Sequence, residues 1–175
     1  MLSETEKELG VVLVDIGAGS TSLCAFVDGA LCFSGVLPIG ARHITQDIAL
    51  GCRVSLDAAE KIKIALGADP LFQLRPRAGE TKEEFRKRQK EHDTLDPHAL
   101  GIFEQTEELS KRTIAEAIML PAIKEIFSLI GEELRKAGLI TSVPAGLVLS
   151  GGGAETVGIV EVAKRTLSLQ ERVDM

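Results

Sequence analysis

The residues best suited to chemistry lie in one stretch, VVLVDIGAGSTS at positions 11–22. There Asp15, Gly17, Gly19, Ser20 and Thr21 follow a short apolar strand. Glycine lets backbone N–H groups approach phosphate oxygens closely, and hydroxyls can add hydrogen bonds. A carboxylate repels bare phosphate, so Asp15 implies Mg²⁺ or a polarised water between the two. A dinucleotide fingerprint would need a third glycine opening a helix, but position 22 is serine and TSLCAFV continues as a strand. No G-x-x-x-x-G-K-[ST] sequence occurs, which excludes a Walker-type loop. A structural glycine turn with Asp15 bonding locally is the competing account, and the motif alone does not separate them.

Two further groups stand out. Glu60 and Lys63 sit three residues apart in LDAAEKIKIALG, on one side of a helix, and can point at a common partner. Residues 145–154, AGLVLSGGGA, place a buried strand before Gly151, Gly152, Gly153 and Ala154, with a helix expected over about residues 155–167. Side-chain-free backbone there admits a flat ligand, and a helix N-terminus favours an anion. A ligand-free strand-to-helix connection accounts for the pattern equally well. Cys24, Cys32 and Cys52 are odd in number and lack C-x-x-C spacing, so they read as buried free thiols rather than metal ligands.

The elements that must position these residues follow from pattern. Strands are expected over 11–16 and 21–27, with Asp28-Gly29 as a two-residue hairpin and a third strand from Ala30 to about Ile39. Gly40 opens a helix over 41–51 with Ile44, Ile48 and Leu50 on its apolar face. Ser55 caps a second helix that stops at Gly67, where Ala58, Ala59, Ile62 and Leu66 share one side. A short strand is expected over 71–74, broken at Arg75-Pro76-Arg77, and another over 98–106. Thr81 and Glu84 form a capping-box signal for a very polar helix to about Glu91, favoured as solvated over an anion-binding patch. An amphipathic helical region covers about 110–137, kinked or split at Pro121 and closed by Gly138.

Composition narrows the partners. The chain has 175 residues, 45% hydrophobic and 26% charged, enough for one ordinary domain or two small lobes. Six Phe, no Trp, no Tyr and a net charge of −6 argue against a nucleic-acid partner. No apolar run approaches transmembrane length and no signal segment is apparent, so a soluble cytoplasmic chain is expected.

The order of the blocks fits one architecture. Strand–DxGxGxT–strand–DG–strand, then a helix carrying Glu and Lys, then strand–GG(G)xA–helix resembles the actin, Hsp70 and sugar-kinase superfamily. Within it the chain most resembles FtsA, a family of bacterial actin-like cell-division proteins. The segments that carry this are VVLVDIGAGSTSL, GVLPIGARHITQDIA, AAEKIK, MLPAIKEIFSLIGEEL and AGLVLSGGGAETVGI, covering most of residues 10–165. PIG-x-x-IT-x-DIA followed by AE-x-x-K is the most specific part.

The resemblance implies an α/β, ribonuclease H-like, actin-like ATPase lobe: a three-strand antiparallel meander plus parallel strands and flanking helices. That lobe would comprise residues 10–54 and 144–175, with an inserted α+β subdomain at 55–143 carrying a charged insert near 75–95. It implies ATP and Mg²⁺ as ligands. Asp15, Gly17, Gly19, Ser20 and Thr21 would face the terminal phosphates, with Mg²⁺ held by Asp15 through water. Glu60 and Lys63, with Gly151, Gly152, Gly153 and Ala154, would hold ribose and adenine. No catalytic residue is assigned. The family's hairpin usually reads GGGT or GGTT followed by Asp; Ala18, Ser20 and Ser22 stand there instead, leaving Asp15 as the hairpin's one acidic group. Ala41 follows the PIG motif where the family usually has glycine.

The chain is expected to be the second half of such a molecule, slightly truncated. Two absent phosphate contacts would cost on the order of 4 kcal/mol, about a thousandfold in affinity. Weak nucleotide binding and negligible hydrolysis are expected of these residues alone, from a family of weak ATPases. The implied partners are the C-terminal tail of the tubulin-like protein FtsZ, docking on 55–143, and further copies in actin-like filaments of the complete protein. The implied location is the inner face of the membrane at the division septum, with no direct membrane insertion by these residues. A pilus-assembly actin-like adaptor of the PilM type and half of a small-molecule kinase are the alternatives.

Overall fold

The computed structural model describes residues 2–68, 79–103, 108–167 and 171–173. The strand expected over 71–74, with Arg75 and Arg77, lies outside them. In chain order the elements begin with α1 (Glu4–Leu9), β1 (Val11–Ile16), β2 (Thr21–Val27), β3 (Ala30–Leu37), α2 (Ala41–Cys52) and α3 (Leu56–Gly67). There follow α4 (Lys82–His92), β4 (Thr94–Leu95), β5 (Leu109–Ser110), α5 (Lys111–Thr113), α6 (Leu120–Lys136), β6 (Leu147–Ser150), α7 (Ile159–Leu167) and β7 (Glu171–Val173). They fall into two compact units, one of residues 1–44 and 120–175, the other of residues 45–119.

The first unit is built on a five-stranded mixed sheet ordered β3-β2-β1-β6-β7. β1, β2 and β3 form the antiparallel meander, while β6 lies parallel to β1 and β7 parallel to β6. Asp28 and Gly29 both take positive φ, 51° and 76°, which is the backbone a tight two-residue hairpin needs. β3 ends at Leu37, because Pro38 has no N–H to continue the ladder. Central β6 buries Leu147, Val148 and Leu149 in succession, as a strand covered on both faces does. Edge strand β3 buries no side chain fully, so its Cys32 is exposed; Cys24 on β2 is half-buried, and of the three free thiols, expected to be buried, Cys52 alone is. α1 adds an element ahead of Val11, held by a capping box between Ser3 and Glu6.

The amphipathic helical region expected over about 110–137 forms, with Ile123, Ile126, Phe127, Ile130 and Leu134 fully buried. Its irregularity at Pro121 takes the form of a widened π-helical stretch over Ile114–Met119, just ahead of α6. Proline lacks the N–H that would bond the carbonyl of Ala117, and its ring crowds that carbonyl, so the preceding turn opens. Gly138 takes a left-handed φ of 69° after the last turn, and Arg135 and Lys136 lie beside the helix's negative end.

In the second unit α3 buries Ala58, Ala59, Ile62 and Leu66, and Ser55 caps it through the N–H of Ala58. Leu50, assigned to the apolar face of α2, is 77% exposed; six residues after Ile44 it lies on the far side of a 3.6-residue helix. α4 is capped by Thr81 and Glu84 as expected, and a two-bond Arg88–Glu80 ion pair (2.8 and 2.7 Å) ties it to the segment before it. The strand expected over 98–106 is corrected. His98–Leu100 is a 3₁₀ turn set by Asp96, whose carboxylate accepts the N–H of His98, and by Pro97. Positions 104–107 lie outside the described residues, and the strand pairing occurs instead between Thr94–Leu95 and Leu109–Ser110.

Candidate functional site

Asp15 is exposed at the penultimate position of β1, in register with Ser22 on β2 and Ser150 on β6. Because β1 and β6 are parallel neighbours, the 17–20 loop and the 151–154 turn leave the sheet side by side. The loop closes on itself through Gly17 N–H to the carbonyl of Ser20 at 2.9 Å, with Ala18, Gly19 and Ser20 exposed. Thr21 is 0% exposed, and its hydroxyl donates to the carbonyl of Ile39 at 2.7 Å. It anchors the loop's exit rather than standing open at its tip.

A second clamp comes from α2. The N–H groups of Ala41 and Arg42 donate to the carbonyls of Gly17 and Ala18 at 2.9 and 2.8 Å. Two of the donors that open a helix, normally unpartnered within it, thus hold the loop. Gly40 makes this approach possible: a Cβ there would lie 2.6 Å from the Gly17 carbonyl oxygen and 2.8 Å from the backbone nitrogen of Ser20. Its own N–H donates to Nδ1 of His43 at 3.1 Å. Gly40, Ala41 and Arg42 are loop-holding residues that the glycine motif does not name; the small pair Gly40-Ala41 after Pro38 is their signal in the sequence.

The three glycines of the 151–153 run do different work. A side chain on Gly151 (φ +84°) would strike Asp15 Oδ1 and lie 2.6 Å from the carbonyl oxygen of Ile16; one on Gly153 would strike Ile16. Both are glycine because the turn presses on the end of β1. Gly152 has nothing within 4 Å of its Cβ position, as has Gly19, so these two are where a ligand can meet bare backbone. The helix expected from 155 is corrected: Gly152–Glu155 forms a 3₁₀ turn, and α7 begins at Ile159 after Gly158. Ala154 is buried within that turn.

In the second unit Glu60 and Lys63 do converge on a common partner, Thr45 of α2. Thr45 Oγ1 donates to Glu60 Oε2 at 2.6 Å, and Lys63 Nζ donates to Thr45 Oγ1 at 2.9 Å and to the same Oε2 at 2.8 Å. Partial burial alone would raise the Glu60 carboxyl, but the hydrogen bonds from Lys63 and Thr45 and the Lys63 charge outweigh it and hold the pKa below its ordinary value. Thr45 was not among the expected site residues, although IT-x-DIA contains it.

A Mg²⁺ ion bound through waters needs one carboxylate and phosphate oxygens rather than a protein cage. Asp15 fits that demand, and the described residues hold no cluster of three or more His, Cys, Asp or Glu side chains able to bind a metal.

Sheet order and paired turns define an actin-like ATPase fold. MreB5 of Spiroplasma citri, in its ADP-bound structure, superposes with a TM-score of 0.67 at 20% identity over 97% of this chain and 50% of that one. A PilM–PilN type IV pilus complex gives 0.64 at 20% identity, covering 98% and 37%. The family model for cell division protein FtsA matches residues 12–175. FtsA of Pseudomonas aeruginosa is 37% identical over 173 residues, 99% of this chain and 37% of that protein. FtsA of Bacillus subtilis is 34% identical over 172 residues, 98% and 35%. The chain belongs to the FtsA family, and spans little more than a third of the length of these curated relatives.

Proposed function

We propose that these residues contribute adenine-nucleotide binding to an actin-like division protein that tethers FtsZ filaments to the inner face of the membrane. The observation that carries the nucleotide part is the clamped, exposed 17–20 loop lying beside Gly152 at the ends of two parallel strands. Backbone N–H groups at Ala18, Gly19 and Ser20 would meet phosphate, and Asp15 would hold Mg²⁺ through water. The ion, when bound, would supply positive charge against the phosphates. Glu60 and Lys63 are proposed for ribose and adenine. Hydrolysis by these residues alone is expected to be negligible, since no general base is assigned among them.

Titration of the ¹⁵N-labelled chain with Mg·ATP tests this. Amide shifts are expected at 17–21 and 151–154, with a dissociation constant in the millimolar range, equivalent to roughly −4 kcal/mol. No shift at either segment up to about 10 mM ligand, weaker than −3 kcal/mol, would overturn the proposal. Phosphate release that Asp15→Ala abolishes would overturn its non-catalytic part. Docking of the FtsZ tail on residues 55–143 is proposed with it; capture by an FtsZ tail peptide but not by a scrambled one is expected, and equal capture by both refutes docking. Filament formation is proposed for the complete protein. A PilM-type adaptor shares the fold at 20% identity, whereas the family model is that of the division protein, so the pilus alternative is set aside.

A further inference from the structure

We propose that Thr45 is a positioning residue: its hydroxyl, seated between Glu60 and Lys63, fixes the carboxylate so that Oε1 is presented to the sugar hydroxyls of a nucleotide. The inference rests on the proposal that Glu60 and Lys63 face the ribose, and it names what sets them there. Thr45 is 3% exposed, so it works through its neighbours.

The geometry supports this in three ways. Two hydrogen-bond donors among the described residues, Thr45 Oγ1 at 2.6 Å and Lys63 Nζ at 2.8 Å, land on the same carboxylate oxygen, Oε2. One oxygen is therefore tethered while Oε1 stays on a side chain that is 46% exposed. The Thr45 hydroxyl also accepts from Lys63 while donating to Glu60, so the lysine, the hydroxyl and the carboxylate form a directed chain in which each bond polarises the next. Finally, threonine in a helix has a restricted χ1, which makes a better anchor than a longer side chain. An ionised carboxylate accepts and cannot donate, so a second oxygen on this half-exposed side chain suits two adjacent sugar O–H groups.

The test separates the hydroxyl's role from mere packing. Thr45→Val keeps the shape and removes the hydroxyl, and Thr45→Ser restores it. Following the Glu60 side-chain carboxyl by carbon NMR across an acid titration, the midpoint is expected to rise in Thr45→Val and return toward the unsubstituted value in Thr45→Ser. A packing role would lower thermal stability without moving that midpoint, and an unmoved midpoint overturns the proposal. In the unsubstituted chain the Thr45 hydroxyl proton is expected to shift as Glu60 titrates; a hydroxyl proton indifferent to that titration overturns the proposal even if Thr45→Val fails to fold. Binding of Mg·ADP is expected to weaken about fivefold in Thr45→Val, the worth of one hydrogen bond, and to recover in Thr45→Ser. If Mg·ADP moves no signal near Glu60 in the unsubstituted chain, the ribose assignment itself fails, a result distinguishable from an unmoved midpoint.

Discussion

At the residue scale the glycines sort by what surrounds them. Gly151→Ala would force a Cβ onto Asp15 and onto the carbonyl of Ile16 in a left-handed backbone, and is expected to lower unfolding free energy by about 2–3 kcal/mol in urea titration. Gly152→Ala, facing open space, is expected to stay within about 1 kcal/mol of the unsubstituted chain. Thr21→Val would strand the buried carbonyl of Ile39 and is expected to cost about 1–3 kcal/mol in the same assay. Glu60 supplies a pH dependence. Its folded pKa lies below the ordinary 4.5, so its contribution is present above that value and is lost as pH falls through the lowered one. Glu60→Gln should therefore be less stable than the unsubstituted chain near neutrality, and the gap should close as pH falls below 4.5 and through the lowered value. A gap that does not narrow as the carboxylate is protonated would show that Glu60 acts through packing.

At the element scale, most helices, strands and turns decided by local chemistry were legible, the Asp96-Pro97 turn at His98–Leu100, read as a strand, being an exception. Asp28-Gly29, the Ser55 cap, the Thr81–Glu84 box and the Gly138 stop each act within a few residues, and each appears where pattern placed it. What was illegible in the candidate site depended on contacts distant in sequence. Nothing local to ARHITQDIALG tells that its first two N–H groups bond a loop more than twenty residues earlier, or that Thr45 meets a helix fifteen residues on. Gly151 and Gly153 look like ligand glycines until β1 is seen against them. Packing between α6 and α7 gives a sharper case. At Gly131 a Cβ would meet Leu167 Cδ2 at 2.9 Å and an Arg135 nitrogen at 3.1 Å, both ends of flexible side chains. Gly131→Ala is thus expected to be nearly neutral, because about 1 kcal/mol of helix propensity offsets the crowding. Gly131→Phe is expected to destabilise by about 2 kcal/mol or more; thermal unfolding of the two variants checks the ordering.

For the whole molecule, FtsA family membership gives the parts a setting, and the chain spans 37% of the length of the Pseudomonas aeruginosa protein. No helix among the described residues is long and apolar enough to cross a membrane. The net charge of −6 and the absence of Trp and Tyr weaken both the electrostatic and the stacking terms that nucleic-acid binding draws on. No retention on DNA–cellulose at physiological salt is expected, and retention that salt reverses would refute this. The clamp on the 17–20 loop carries a further consequence, for exchange with solvent. Amides that open a helix ordinarily trade their protons for deuterium fastest, since nothing in the helix protects them. Here those of Ala41 and Arg42 are bonded to Gly17 and Ala18, so they should exchange slowly for as long as the loop keeps its shape. Two deuterium clocks at the start of one helix would thus time the opening of a loop elsewhere in the sequence, with no label and no ligand required.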